Sequence, residues 1–274
     1  MSSIKENGIV LIPIDFSKQS LMAIKYAYTL AEHTKSKLVL LHVYQKDSDF
    51  NKAELDKLVK QTADESKLVV EGMGVKGDIF EITDKTAEKL SANLIVAGLD
   101  THVKFRSFMG KSTASKFIKN APCPVITIRS TTAKPECKNI LMPFDLSMES
   151  REKVPAVIQL AKYFNGEIRI VSVFDPSDQT YENKLLPYMN QVKKFIKEKS
   201  IACTNKSIPA KDVAESIVEY ANKNNCDIIV QMNNKDTSFG EMFSGTMSQK
   251  LVEISNVPVL TINPMKRADM PLSY

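Results

Sequence analysis

Ile9 to Ile14 is a continuous apolar run, the mark of a strand covered on both faces. A helical pattern follows at about Lys18 to Thr34, with Ile24, Ala27 and Ala31 on one face, and Ser17 or Ser20 is placed to cap it. Leu38 to Val43 predicts a second buried strand. An amphipathic stretch from about Lys52 to Glu71, turning Leu55, Leu58 and Val59 inward, predicts a long helix. Gly72, Gly74 and Gly77 loosen the chain around a third strand at about Val75 to Ile82, and Asp84 to Ser91 predicts a short third helix. Leu94 to Ala97, closed by Gly98, is the fourth strand. A basic connection, Gly110-Lys111-Ser112-Thr113 and another amphipathic segment then lead to the prolines of Ala121-Pro122-Cys123-Pro124 and a fifth strand, Val125 to Ile128. Strands alternating with helices predict parallel pairing with right-handed crossovers.

The same pattern then restarts. Asn139-Ile-Leu-Met-Pro-Phe-Asp145-Leu-Ser147 repeats Ile9-Val-Leu-Ile-Pro-Ile-Asp15-Phe-Ser17 about 130 positions later. Glu167 to Val173, Ile201 to Ile208 and Asp227 to Gln231 match strands two, three and four, and Val257-Pro258-Val259 echoes Cys123-Pro124-Val125. This predicts a tandem duplication: a first unit over residues 1–130, a polar linker, a second unit over 138–264 and an irregular tail at 265–274. Each unit is expected to be a doubly wound, five-stranded parallel sheet of order 3-2-1-4-5. Val125 to Ile128 and Val259 to Ile262 would each leave an apolar edge exposed, so pairing the two edges predicts an intrachain pseudo-dimer.

Composition adds limits. At 274 residues, 43% apolar and 25% charged, the chain resembles an ordinary globular protein of two domains. It contains no run long enough to span a membrane, and its start lacks a signal peptide's apolar region, so a cytoplasmic protein without a membrane partner is expected. Cys123, Cys137, Cys203 and Cys226 have no CxxC spacing and no histidine cluster nearby, which fits reduced thiols rather than a metal site. The net charge of +5 is spread along helical faces without an aromatic-interleaved basic stripe, so no nucleic-acid partner is expected.

In the 3-2-1-4-5 order, ligands bind outside the carboxyl ends of strands one and four. Those ends carry Pro13, Ile14, Asp15 and Gly98 in the first unit, Asp145 and Met232 in the second. Asp15 can accept from the exocyclic amine of a purine, or simply cap the next helix together with Ser17. Gly110-Lys111-Ser112-Thr113 is not a P-loop: Phe105 stands where its first glycine belongs, and Gly98 ends the strand a dozen residues too early. It offers a helix N-terminus with small residues and a lysine, which can meet phosphate or can be an ordinary helix start. His102 is a lone histidine, His42 sits in a strand, and no GxSxG, HExxH or paired-carboxylate helix is present, so no catalytic residue and no metal site is expected.

Together Ile-Pro-Ile-Asp15-Phe-Ser17, Leu-Ile-Val-Ala-Gly98, Gly110-Lys-Ser-Thr113 and Ala-Pro-Cys-Pro-Val125, found twice in order, resemble the universal stress protein family. The resemblance implies an adenine-nucleotide α-hydrolase-like fold, fifth-strand dimerisation and a non-catalytic, cytoplasmic stress-response role. Some members bind ATP through a Gly-x2-Gly-x9-Gly-[Ser/Thr] loop. Carried over, Asp15 meets adenine with main-chain groups near Val43, and Gly98, Gly110, Lys111, Ser112 and Thr113 face phosphate, although Thr101 replaces the second glycine. In the second unit Met232 and Lys235 replace two glycines, leaving Asp145, Val173, Gly245 and Thr246 as a degenerate site beside Asp236 and Glu241. ATP in the first unit alone is therefore the expected ligand. The competing expectations are a slow ATPase or phosphotransferase using Lys111 and Ser112, and an interaction protein without nucleotide.

Overall fold

A computed structural model of the chain describes residues 4–99, 113–130, 135–233 and 245–264. The first half runs β1 (Ile9–Ile14), α1 (Lys18–Thr34), β2 (Lys37–Tyr44), α2 (Lys52–Ser66), β3 (Val70–Lys76), α3 (Ile79–Lys89), β4 (Leu94–Gly98), α4 (Thr113–Lys119) and β5 (Val125–Ile128). The second runs β6 (Asn139–Pro143), α5 (Met148–Glu152), α6 (Val154–Phe164), β7 (Glu167–Phe174), α7 (Gln179–Lys197), β8 (Cys203–Pro209), α8 (Val213–Lys223), β9 (Ile228–Met232), α9 (Gly245–Ile254) and β10 (Val259–Ile262).

These strands form one sheet in the order β3-β2-β1-β4-β5-β10-β9-β6-β7-β8. Each half has the expected 3-2-1-4-5 order with parallel neighbours, and the two fifth strands join the halves antiparallel, with Leu260 opposite Ile126. Both of these strands are buried along their whole length. Their junction continues into the helix layer, where Asn233 Nδ2 donates to the Ile118 carbonyl at 2.7 Å and Asn263 Nδ2 to that of Ala121 at 2.5 Å. On the opposite face the His33 and Phe164 rings lie 4.5 Å apart, and the Tyr163 hydroxyl donates to the Ile4 carbonyl. Successive strand residues alternate between two apolar layers. Leu38 and Leu40 pack under α1 and α2, whereas Val39 and Leu41 pack with Ala87 of α3 and Phe117 of α4.

One stretch differs from the sequence reading. The second helix stops at Ser66, where Lys67 takes the left-handed conformation (φ 60°) and its N–H bonds back to Ala63. The third strand therefore begins at Val70, and 77–82, expected as strand, turns into α3. Asp78 drives that change: its carboxylate accepts from the N–H groups of Phe80 and Glu81 and caps the helix. Gly72 and Gly74 are strand residues rather than a loose connection. A Cβ on Gly74 would lie 2.2 Å from the Phe50 ring, so this glycine lets Phe50 lie flat on the edge strand.

Leu260 is 1% exposed at the junction of the halves. Leu260→Ala should cost about 2–5 kcal/mol, as truncations of buried leucines do. It should lower the denaturant midpoint of both halves in one transition; two separated transitions would mean that the halves do not depend on the shared strand pair.

Candidate functional site

The ends of β1 and β4 lie side by side. The β1–β4 register pairs Val10 with Leu94 and Leu11 with Ile95, which carries Ile14 to the level of Gly98. Pro13 and Ile14 are buried, and Asp15 is the first exposed residue beyond the strand. Ser17 caps α1 by accepting from the Ser20 N–H, while the Ser17 N–H donates to Asp15 Oδ1 at 3.0 Å. Phe16 between them takes φ 60°, an unusual conformation for a bulky residue. The chain thus folds sharply off the sheet and holds Asp15 at the mouth of the crevice.

Gly98 has a packing reason of its own. A Cβ there would sit 2.1 Å from the Gln19 carbonyl oxygen and 2.8 Å from the Ser20 nitrogen, so the first turn of α1 crosses directly over the end of β4. Val43 is half-buried in β2 opposite Val75 of β3, with β1 between it and β4. Thr113 is the first residue of α4, whereas Gly110, Lys111 and Ser112 lie outside the described residues. His42, on the same strand as Val43, is buried; its Nδ1 lies 3.1 Å from the Ile14 carbonyl and its ring packs against Phe16. The structure therefore brings Pro13, Ile14, Asp15 and Gly98 together, with Val43 at one side.

The second crevice is built differently. Asp145 is 1% exposed, and its Oδ1 accepts from the Ser147 N–H at 3.0 Å and from the Ser147 and Ser150 hydroxyls, each at 2.5 Å. Lys153, 3% exposed, is packed beside it. Burial lowers the Lys153 ammonium from the usual lysine range to about 8, and the Asp145 charge opposes that shift only in part. Counting from the shared Asp-x-Ser, Lys153 stands where the first half has the buried Ala23. The helix itself is altered there. Where α1 is continuous, its counterpart is broken at Lys153 into α5 and α6, and Pro155, at the second position of α6, has no N–H to donate to the carbonyl four residues back.

Met232 takes the place of Gly98 at the end of β9, and its carbonyl accepts from the Ser248 hydroxyl at 2.8 Å. What remains is a shallow cleft of about 10 Å³, room for little more than a water molecule, where Lys153 and Glu149 meet Ser147, Ser150, Gln231, Met232 and Met247. Val173 is buried in β7, and Gly245 and Thr246 open α9. Lys153 and Gln231 were not among the candidates drawn from the sequence. A readable signal existed for Lys153: a lysine on the helix face that otherwise carries Val154, Val157 and Ile158.

Among the described residues there is no group of three or more histidine, cysteine, aspartate or glutamate side chains able to hold a metal ion. No helix there is long and apolar enough to cross a membrane. All four cysteines are buried free thiols, and burial pushes Cys123 and Cys137 up to about 12 and Cys203 and Cys226 up to about 11. They are poor nucleophiles at neutral pH.

Two doubly wound α/β units fused edge to edge, each with a crevice at its switch point, define a tandem doubly wound α/β protein. The model of the universal stress protein family matches residues 6–129 and 136–263, and the chain belongs to that family with two tandem copies. A universal stress protein of Methanocaldococcus jannaschii is 26% identical over 144 residues, covering 47% of this chain and 84% of that protein. Among solved structures, a universal stress protein from Archaeoglobus fulgidus covers 94% of this chain and 98% of its own at 18% identity, with a TM-score of 0.74. A universal stress protein from Pseudomonas aeruginosa, described as putative, covers 95% of both chains at 18% identity, with a TM-score of 0.68. At that identity these structures establish the fold.

Two outcomes test this geometry. Gly98→Ala should destabilise the chain by about 1–3 kcal/mol through overpacking against α1, read from the denaturant midpoint. An unchanged midpoint would refute that close approach. For Lys153, the folded state gives up its proton near pH 8 and the unfolded state near 10.5. Between those values the unfolded chain binds more protons, so this group's contribution to stability rises with pH, by about 3 kcal/mol in all. The four thiols act oppositely: their contribution is full below about pH 9 and is lost toward 11–12. The midpoint of wild type relative to Lys153→Met should therefore climb between pH 7.5 and 10, whatever the thiols do to both.

Proposed function

We propose that this chain is a non-catalytic regulatory or binding protein of the cytosol, built of units at 1–130 and 138–264, that takes an adenine nucleotide such as ATP in its first unit only. The observation that carries this reading is the difference between the two aspartates. Asp15 is exposed at the crevice mouth and accepts one main-chain N–H, so it retains acceptor capacity for the exocyclic amine of a base. Asp145 is buried, accepts three donors on one oxygen and lies against the buried Lys153. A base entering the second crevice would have to displace that lysine and strip a carboxylate of its partners, which a buried charge resists. In the first crevice Ala23 leaves the corresponding place uncharged.

The nucleotide would run from Asp15, past the end of β4 at Gly98, toward the N-terminus of α4 at Thr113, where helix amides favour phosphate. Gly110, Lys111 and Ser112 precede that helix in sequence and complete the proposed phosphate end. Val43 would supply main-chain contacts to the base.

Calorimetric titration of ATP into ligand-free protein should give one equivalent bound. Asp15→Ala should weaken it about 10- to 100-fold, the worth of a hydrogen bond to a charged group, and Asp145→Ala should leave affinity unchanged. Two equivalents, or loss of binding in Asp145→Ala alone, would overturn the assignment.

A further inference from the structure

The duplication supplies an internal control for every surface: a helix can be compared with its own copy. Helices α2 and α7 are such copies. Leu55 and Thr62 are the buried positions of α2, and Met189 and Ile196, each 134 positions on, are buried in α7. Outward, however, the two helices diverge. Glu54 and Gln61, both exposed, correspond to Tyr188 and Phe195, which are 41% and 45% exposed. Leu186, also exposed, lies on the other flank of α7. Charge diverges in the same place. Helix α2 carries three lysines against four carboxylates, whereas α7 with its C-cap carries four lysines against Glu182 and Glu198.

The cations of this face are not spent on local ion pairs. Among the described residues neither Lys184, Lys194, Lys197 nor Arg151 of neighbouring α5 has a carboxylate within 4.0 Å, the reach of an ion pair. Two cations instead lie on the exposed rings: the Arg151 guanidinium 4.8 Å from the Tyr188 centroid and the Lys199 ammonium 5.2 Å from that of Phe195. At about 100° per residue, the positions from Leu186 through Lys197, Lys194 and Lys184 to Phe195 and Tyr188 cover about 200° of the helix circumference.

We propose that the outer face of α7 docks the protein on an anionic phospholipid surface. The occupant follows from the pattern. Cations and aromatics are interspersed over a broad convex face rather than lining a groove, which suits dispersed headgroup charges with rings seated between them better than one acidic helix. A second copy pairing through the same face would oppose lysine to lysine. The expectation of no membrane partner rests on the absence of a spanning segment, and lying on a bilayer makes no such demand. This surface lies on the second unit and shares no residue with the crevice of the first.

The chain has no tryptophan, so Phe195→Trp creates a single fluorescent reporter in the full-length protein. Vesicles of phosphatidylcholine with about one-third phosphatidylserine should co-sediment the protein and shift the emission of the introduced indole to the blue, and pure phosphatidylcholine should do neither. Binding should fall at least tenfold when salt is raised from 50 to 500 mM. Tyr188→Ser with Phe195→Ser should lose about tenfold in wild-type co-sedimentation, while Glu54→Ala with Gln61→Ala on α2 should lose nothing. Because the substituted rings are exposed, circular dichroism should show both double variants folded. Absence of co-sedimentation at 50 mM salt, binding without a blue shift, or equal loss from the α2 variant would each overturn the proposal. So would an acidic peptide that shifts the emission when vesicles do not.

Discussion

A parallel sheet grown from βαβ units always ends on a strand with one unpaired side, and here that last strand is buried on both faces. Val125–Ile128 and Val259–Ile262 cannot be left in water as sheet edges without inviting other strands. Laying them against each other satisfies both ladders at once, and the rest of the architecture follows. The ten strands become one sheet, α4 and α9 are brought together, and Asn233 and Asn263 can reach across to carbonyls of the other half. The edges that remain are β3, which carries Gly72 and Gly74, and β8, which carries Lys206 and ends on Pro209, features that discourage further growth.

Fusion of the two copies also removes a symmetry constraint. In a homodimer every substitution appears in both crevices. In a tandem chain Ala23 can remain small while its counterpart becomes Lys153, and a helix that must stay whole over Gly98 in one copy can break before Pro155 over Met232 in the other. These changes form a set. Met232 ends β9 where the counterpart of α1 is broken, Gly98 ends β4 where α1 is whole, and Asp145 is buried where Asp15 is exposed. Removing Lys153 alone therefore does not restore the first crevice; it leaves Asp145 buried with its serines.

What the sequence shows plainly is whatever depends on hydrophobic pattern. Ile9–Ile14 and Leu94–Gly98 read as unbroken apolar runs, and both fifth strands as apolar runs interrupted by one threonine after a proline, so their places, their order and the repeat were legible. The third strand was not. Val70–Lys76 is an edge strand paired only with β2, holding two glycines in seven residues and no fully buried position, so neither an apolar run nor a clean alternation marks it. The helix end at Lys67 and the start at Asp78 are set by a left-handed residue and a capping carboxylate, which outweigh propensity in the flanking residues. At the site, Asp15 and Gly98 could be placed because strand ends are fixed by topology. That Gly98 makes way for α1, and that Asp145 turns inward, depends on contacts between elements that no local pattern encodes.

The antiparallel junction has a geometric consequence for the molecule as a whole. Within each half the strands run in one direction, so reversing direction at β5 and β10 points the carboxyl ends of β1 and β4 toward one end of the sheet and those of β6 and β9 toward the other. The two crevices open at opposite poles. One pole presents an exposed carboxylate over a small, uncharged alanine, the other a buried lysine sealed by its own counter-charge. A duplicated protein has in this way become a molecule with a front and a back, its two poles chemically unlike.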